Sequence, residues 1–159
     1  QLGGIDILIN NAGVGDFGSF EEMPVETWEK VMKVNLFGVY YVAKAALPYL
    51  KQNKEGDIVN VASTAGLKGA PNMSAYCASK AAVISLSQSL MAELRKFNIR
   101  VITLTPSTIA TDMSIEGKLT DGNPEKVLQP EDFAEWVRDI LKMNRRAMIA
   151  SASIFSTNP

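Results

Sequence analysis

Between Ser63 and Lys80 the sequence sets out a hydroxyl, a phenol and an ammonium. Ser63 follows the apolar run Ile58-Val59-Asn60-Val61, and a loop rich in Gly, Pro and Asn comes next. Tyr76 and Lys80 are one helical turn apart, so in a helix they share a face. The loop is the right kind of segment to fold back and bring Ser63 to that face. A free phenol has a pKa of about 10, too high for a base at neutral pH. A positive charge nearby favours the phenolate, so an ammonium one turn away is expected to lower that value. The chemistry on offer is proton transfer to or from an oxygen held by Ser63.

Composition narrows the alternatives. The 159 residues contain no histidine, which removes Ser-His-Asp catalysis, histidine bases and histidine metal ligands together. Cys77 is the only cysteine, so no internal disulfide can form and no transition-metal site is expected. Any base must be Lys, Tyr or a carboxylate. Sixteen basic and seventeen acidic residues give a net charge of -1, which does not suggest a nucleic-acid partner. No apolar run reaches the roughly 18 residues of a membrane span, and no secretory leader is read. A cytoplasmic protein is the expectation.

The elements that must position these groups alternate. Ile5 to Ile9 reads as a buried strand, ended by the small-residue turn Asn10-Asn11-Ala12-Gly13. A helix is expected from Pro24-Val25 to about Gln52, with a bend and with Asn35, a poor helix former, in its middle. Asp57 to Val61 is a second buried strand. Ala75 to about Phe97 is a helix with a small-residue side at Ala78, Ala81, Ala82, Ser85 and Ser89. Arg100 to Thr105 is a third strand, stopped by Pro106; residues 107–128 read as a polar, mobile flap. A helix follows from Pro130 to about Met143, and Ala147 to Ala150 reads as a last strand. This order predicts an α/β fold with a parallel sheet, whose ligands bind beyond the carboxyl ends of the strands.

With these residues in place, the sequence resembles the short-chain dehydrogenase/reductase family, and within it the 3-oxoacyl-(acyl carrier protein) reductase-like branch. The matching residues are Asn10-Asn11-Ala12-Gly13, Asn35 in Val-Asn-Leu-Phe-Gly, Ser63, Tyr76-x-x-x-Lys80, and Pro106 through Thr111. The resemblance implies the C-terminal part of a Rossmann-type, doubly wound parallel sheet, residues 1–159 forming one partial oxidoreductase domain. It implies Tyr76 as proton donor or acceptor, Lys80 as the group that lowers its pKa and bonds the cofactor ribose, and Ser63 as holder of the substrate oxygen. Asn35 would bend its helix and hold a water that feeds protons to Lys80. Asn11, Ala12, Gly13, Pro106, Ile109 and Thr111 would line NADP or NAD together with Tyr76 and Lys80. The implied substrate is a carbonyl or secondary alcohol, with a 3-oxoacyl thioester on an acyl carrier protein favoured. A homodimer or homotetramer is implied as well.

Two departures stand against the family pattern. Ser107 replaces the glycine usual after Pro106. The family's first strands and the Gly-rich turn that receives a pyrophosphate have no counterpart, a stretch of roughly eighty residues. The residue selecting NAD or NADP belongs to that stretch. The expectation is therefore of an N-terminally incomplete chain with an exposed first strand, and a catalytically inert fragment or interaction piece is the alternative reading.

Overall fold

The computed structural model describes residues 3–157; the full 1–159 domain range and its opening Gln1-Leu2 extend outside them. Four parallel strands form one sheet in the order β1-β2-β3-β4: β1 Ile7–Asn10, β2 Gly56–Val61, β3 Ile99–Pro106 and β4 Ser151–Ile154. β2 and β3 are buried throughout, as expected of strands covered on both faces. β1 lies at the edge, with Ile7 and Ile9 47% and 46% exposed.

Helices α1 (Val25–Met32) and α2 (Gly38–Leu50) are joined without a break by a π-helical segment, Lys33–Phe37. The expected bend is this segment, one wide turn that carries Asn35 inward. Helix α3 spans Ser74–Leu94 and ends in a 3₁₀ turn. Asn98, at φ 57°, then reverses the chain into β3, a left-handed position that Asn tolerates better than most residues. On one face of the sheet, Ala46 and Leu50 of α2 and Leu94 of α3 pack on Ile58, Ile99 and Val101. On the other, helix α5, defined below, sets Val137 and Ile140 on Val59, Ile102 and Leu104.

Residues 107–128, read from the sequence as a flap, contain a short helix, α4 (Asp112–Glu116), and a parallel bridge from Ile109 to Leu128. Helix α5 spans Pro130–Lys142, with proline in its first turn and the Asp132 carboxylate accepting from the Gln129 N–H. The last strand corrects the sequence expectation. Residues 147–150 form no strand; the Ala147 N–H bonds back to the Asn144 carbonyl, and pairing with β3 begins at Ser151. Ile149, whose apolar character suggested a strand there, packs instead against the α5 core. No helix among the described residues is long and apolar enough to cross a membrane.

The amino ends of β2 and β3 are locked by charge. Asp57 and Arg100 face each other in register, and the guanidinium bonds both carboxylate oxygens, at 2.6 and 3.0 Å. Arg100 also donates to the carbonyls of Leu141 and Met143. Arg145 reaches the same carboxylate at 2.8 Å and donates to the carbonyls of Gly56 and Asn98.

Candidate active site

At the carboxyl ends of β1, β2 and β3 lies a cleft of about 980 Å³. Asn11, Ala12, Gly13, Ser63, Tyr76, Lys80, Pro106, Ile109 and Thr111 all line it. The loop after Ser63 reaches α3 through a close approach at Gly66. A Cβ there would lie 2.7 Å from the Lys80 carbonyl carbon, so the 3₁₀ turn Thr64–Gly66 can seat itself on the α3 backbone only with glycine. That contact brings Ser63 to the helix face carrying Tyr76 and Lys80.

Ser63 has extended backbone and caps this turn, its oxygen accepting from the Ala65 N–H at 3.1 Å. Its hydroxyl also acts on the Tyr76 phenol, favouring the phenolate. Lys80 is 4% exposed and donates to the Val61 carbonyl at 2.9 Å. Its ammonium lies 5.7 Å from the centre of the Tyr76 ring. Among the described residues no carboxylate pairs with this charge, and burial lowers its pKa to about 8. For Tyr76 the structure departs from the sequence expectation: its pKa is raised, because burial of the phenol outweighs the help of the Ser63 hydroxyl.

Asn35 is 1% exposed. Its oxygen accepts from the Val14 N–H at 2.8 Å, while its amide donates to the Val14 carbonyl and to the Ser79 hydroxyl, each at 3.0 Å. The π segment thus staples the loop after β1 to α3, and the side chain's two donors are committed to protein partners. Gly13 lies within this staple; a Cβ on it would come 3.3 Å from the Asn35 oxygen and 3.5 Å from Lys80 Nζ. Thr111 caps α4 in a reciprocal arrangement with Ser114. The Ser107 N–H bonds the Ile154 carbonyl, so β4 holds the chain that follows Pro106. Cys77 is buried beside Tyr76.

Sequence reasoning missed two groups. Asn10, read as a strand-end residue, donates to Asn60 at 2.8 Å, and Asn60 donates to Ser87 of α3 at 2.8 Å. This buried amide chain ties β1 to β2 and α3 just beneath the cleft. Phe17, in the loop between β1 and α1, meets Tyr76 edge to face with ring centres 5.7 Å apart. A polar residue inside an otherwise apolar strand was a usable signal for Asn60; nothing local marked Phe17.

A parallel sheet covered on both faces, with polar groups converging beyond its carboxyl ends, defines a Rossmann-type α/β domain. The structure of an alcohol dehydrogenase from the archaeon Thermococcus sibiricus, complexed with 5-hydroxy-NADP, superimposes with a TM-score of 0.88 at 28% identity. The match covers 99% of this chain and 66% of that one. The family model for short chain dehydrogenases matches residues 1–121. The chain belongs to the short-chain dehydrogenase family. It is 38% identical over 170 residues to a protein named inactive 2-(S)-hydroxypropyl-CoM dehydrogenase 2 from Xanthobacter autotrophicus, covering 99% of this chain and 73% of that protein. It is 40% identical over 126 residues to the 3-oxoacyl-[acyl-carrier-protein] reductase FabG of Thermotoga maritima, covering 79% of this chain and 49% of the reductase. The chain therefore spans between half and three quarters of the length of these relatives.

Proposed function

We propose that this chain carries the proton-transfer centre of an NAD(P)-dependent oxidoreductase acting between a carbonyl and a secondary alcohol. The observation that carries the reading is the convergence of Ser63, Tyr76 and Lys80 on one cleft at the strand ends. A nicotinamide dinucleotide, when bound, supplies or accepts the hydride. This chain's residues fit its nicotinamide-ribose end. The Asn11-Ala12-Gly13 turn has little side-chain bulk, Gly13 lies beside Lys80 Nζ, and Ile109 and Thr111 border the same cleft.

Ser63 donates its hydroxyl hydrogen to the substrate oxygen, holding the charge that develops there. Tyr76 delivers its proton to that oxygen in reduction and takes it back in oxidation. Burial raises the phenol's pKa, so it keeps its proton until a substrate oxygen is in place to take it. Lys80, charged below about pH 8, is placed to bond the ribose and to replenish the phenol. Asn35 fixes the loop that carries Gly13 and Val14 against α3.

Likeness to the Thermotoga reductase supports a 3-oxoacyl thioester as substrate, with an acyl carrier protein as its bearer. The exposed aromatic face of α2, with Tyr41 and Tyr49, and the small exposed residues Ala81 and Ser85 of α3 support assembly into a homodimer or homotetramer. A cytoplasmic location accords with this chemistry. A second reading, a catalytically inert or interaction chain, draws on the relative named inactive and on the exposed edge strand. Titration with NADPH and NADP⁺ separates the two, read by nicotinamide fluorescence and followed by a turnover assay on 3-oxoacyl thioesters and simple ketones. Saturable binding with Tyr76-dependent turnover supports the enzyme; absence of both supports the inert chain.

A further inference from the structure

Phe17 stands between two clefts. One is the cleft of Ser63 and Tyr76; the other, of about 620 Å³, is lined by the charged residues Asp16, Lys30, Glu116 and Lys118. Phe17 and Met113 line both, so they form the wall between them. The ring is held by fit. A Cβ on Gly117 would lie 2.7 and 2.8 Å from its edge, and a Cβ on Gly15 would lie 2.7 Å from its tip. Gly117 has an ordinary φ of -73°, so no left-handed backbone calls for glycine there; the close ring does, together with the Met113 carbonyl oxygen 2.9 Å from where a Cβ would sit. Two segments far apart in sequence, the loop after β1 and the turn after α4, thus leave room for one aromatic ring set edge-on to Tyr76.

The cleft on the catalytic side of this wall is lined in part by the apolar side chains of Phe17, Met73, Met113 and Leu119. The ionisable residues lining that cleft, besides Tyr76 and Lys80, are Lys68 and Asp112, both exposed. A carbonyl seated on Ser63 and Tyr76 therefore turns one substituent toward an uncharged wall that ends at a ring.

We infer that Phe17 is a specificity-determining residue, closing the carbonyl cleft so that it admits a neutral ketone or secondary alcohol with a short apolar substituent. The inference deepens the proposed function and rests on it for the placing of the carbonyl. Removing the ring joins the apolar cleft to the charged one and lets longer substituents through.

The test uses the 159-residue chain with ¹³C-methyl-labelled methionine, titrated with acetophenone and with the longer ketone octanophenone, with and without NADP⁺. Acetophenone is expected to move the methyl signals of Met73 and Met113, assigned by Met→Leu variants, and to bind more tightly than octanophenone. In Phe17→Ala the order is expected to invert, with acetophenone weakened about tenfold, the scale of a lost apolar contact in a binding pocket. Phe17→Leu, which keeps apolar bulk but no ring, guards against a folding failure and is expected to narrow the preference. An unchanged preference in the folded variants, or acetophenone shifts confined to other methionines, overturns the inference. If the preference inverts but no variant or wild type turns over, the wall stands and the proton-transfer reading fails. If turnover depends on Tyr76 while the preference ignores Phe17, the reverse holds.

Discussion

The two ends of the central strands bury charge by opposite means. At the amino ends Asp57 and Arg100 are out of water, Arg145 is a quarter exposed, and the three are joined to one another and to four main-chain carbonyls. At the carboxyl ends Lys80 is as deeply buried, yet among the described residues only the Val61 carbonyl receives it. A paired buried charge is structural, since its removal strands its partner. An unpaired one keeps a displaced pKa and the capacity to bond something that arrives later. The candidate reactive groups Tyr76 and Lys80 lie at the end where the buried charge has no carboxylate partner among the described residues.

The largest expected effect separates the ends most sharply. Tyr76→Phe is expected to lower turnover by roughly 10²–10⁴-fold, the usual worth of a positioned proton donor, while dinucleotide affinity and thermal unfolding stay near wild type. Unchanged NADPH oxidation in that variant would break the comparison. Asp57→Ala should do the opposite. It leaves Arg100 buried without its carboxylate, for a loss of about 3–5 kcal/mol in urea unfolding, with the ratio of turnover to bound dinucleotide preserved in the folded fraction. Ser63→Ala is expected to cost about 10²–10³-fold in turnover with little change in stability, as for the loss of one donor to a developing oxyanion.

The pH response sharpens the contrast further. Lys80 has a folded pKa of about 8, below the 10.5 of an ordinary lysine. Between these values the unfolded chain binds the extra proton, so stability rises with pH across that window, by on the order of 3 kcal/mol. Tyr76 acts the other way. Its raised pKa means the unfolded chain loses its proton first, so above about pH 10 stability falls with further rise. Urea titrations from pH 7 to 10.5 should show the gain in wild type and lose it in Lys80→Met; a gain that persists in the variant assigns it elsewhere.

The most legible parts of the sequence were those fixed by short-range periodicity. Tyr76 and Lys80 share a helix face because they are one turn apart, and β2 and β3 read as apolar runs because both faces are covered. Asn35 was readable as a misfit inside a helix, though not the π turn that accommodates it. What escaped was set by distance in sequence. Arg145 reaches Asp57 across eighty-eight positions, and no local pattern announces it. Phe17 in a loop looks like any exposed aromatic until Gly15, Gly117 and Tyr76 close around it. The last strand was misplaced because Met148 and Ile149 offered a stronger apolar signal than Ser151–Ile154, whose place is decided by register with β3. The Tyr76 shift shows the same limit: spacing places the ammonium one turn away but not the depth of burial, which raises the phenol's pKa.

The π segment at Lys33–Phe37 amounts to a change of phase within one continuous helix. A π turn takes up one residue more than an α turn, so excising a single residue there would let α1 and α2 run on as one regular α-helix, with Ala46 and Leu50 still facing the sheet. What would be lost is the wide turn that carries Asn35 inward to Val14 and Ser79. The extra residue serves the side chain it turns inward, and the helix on either side could do without it.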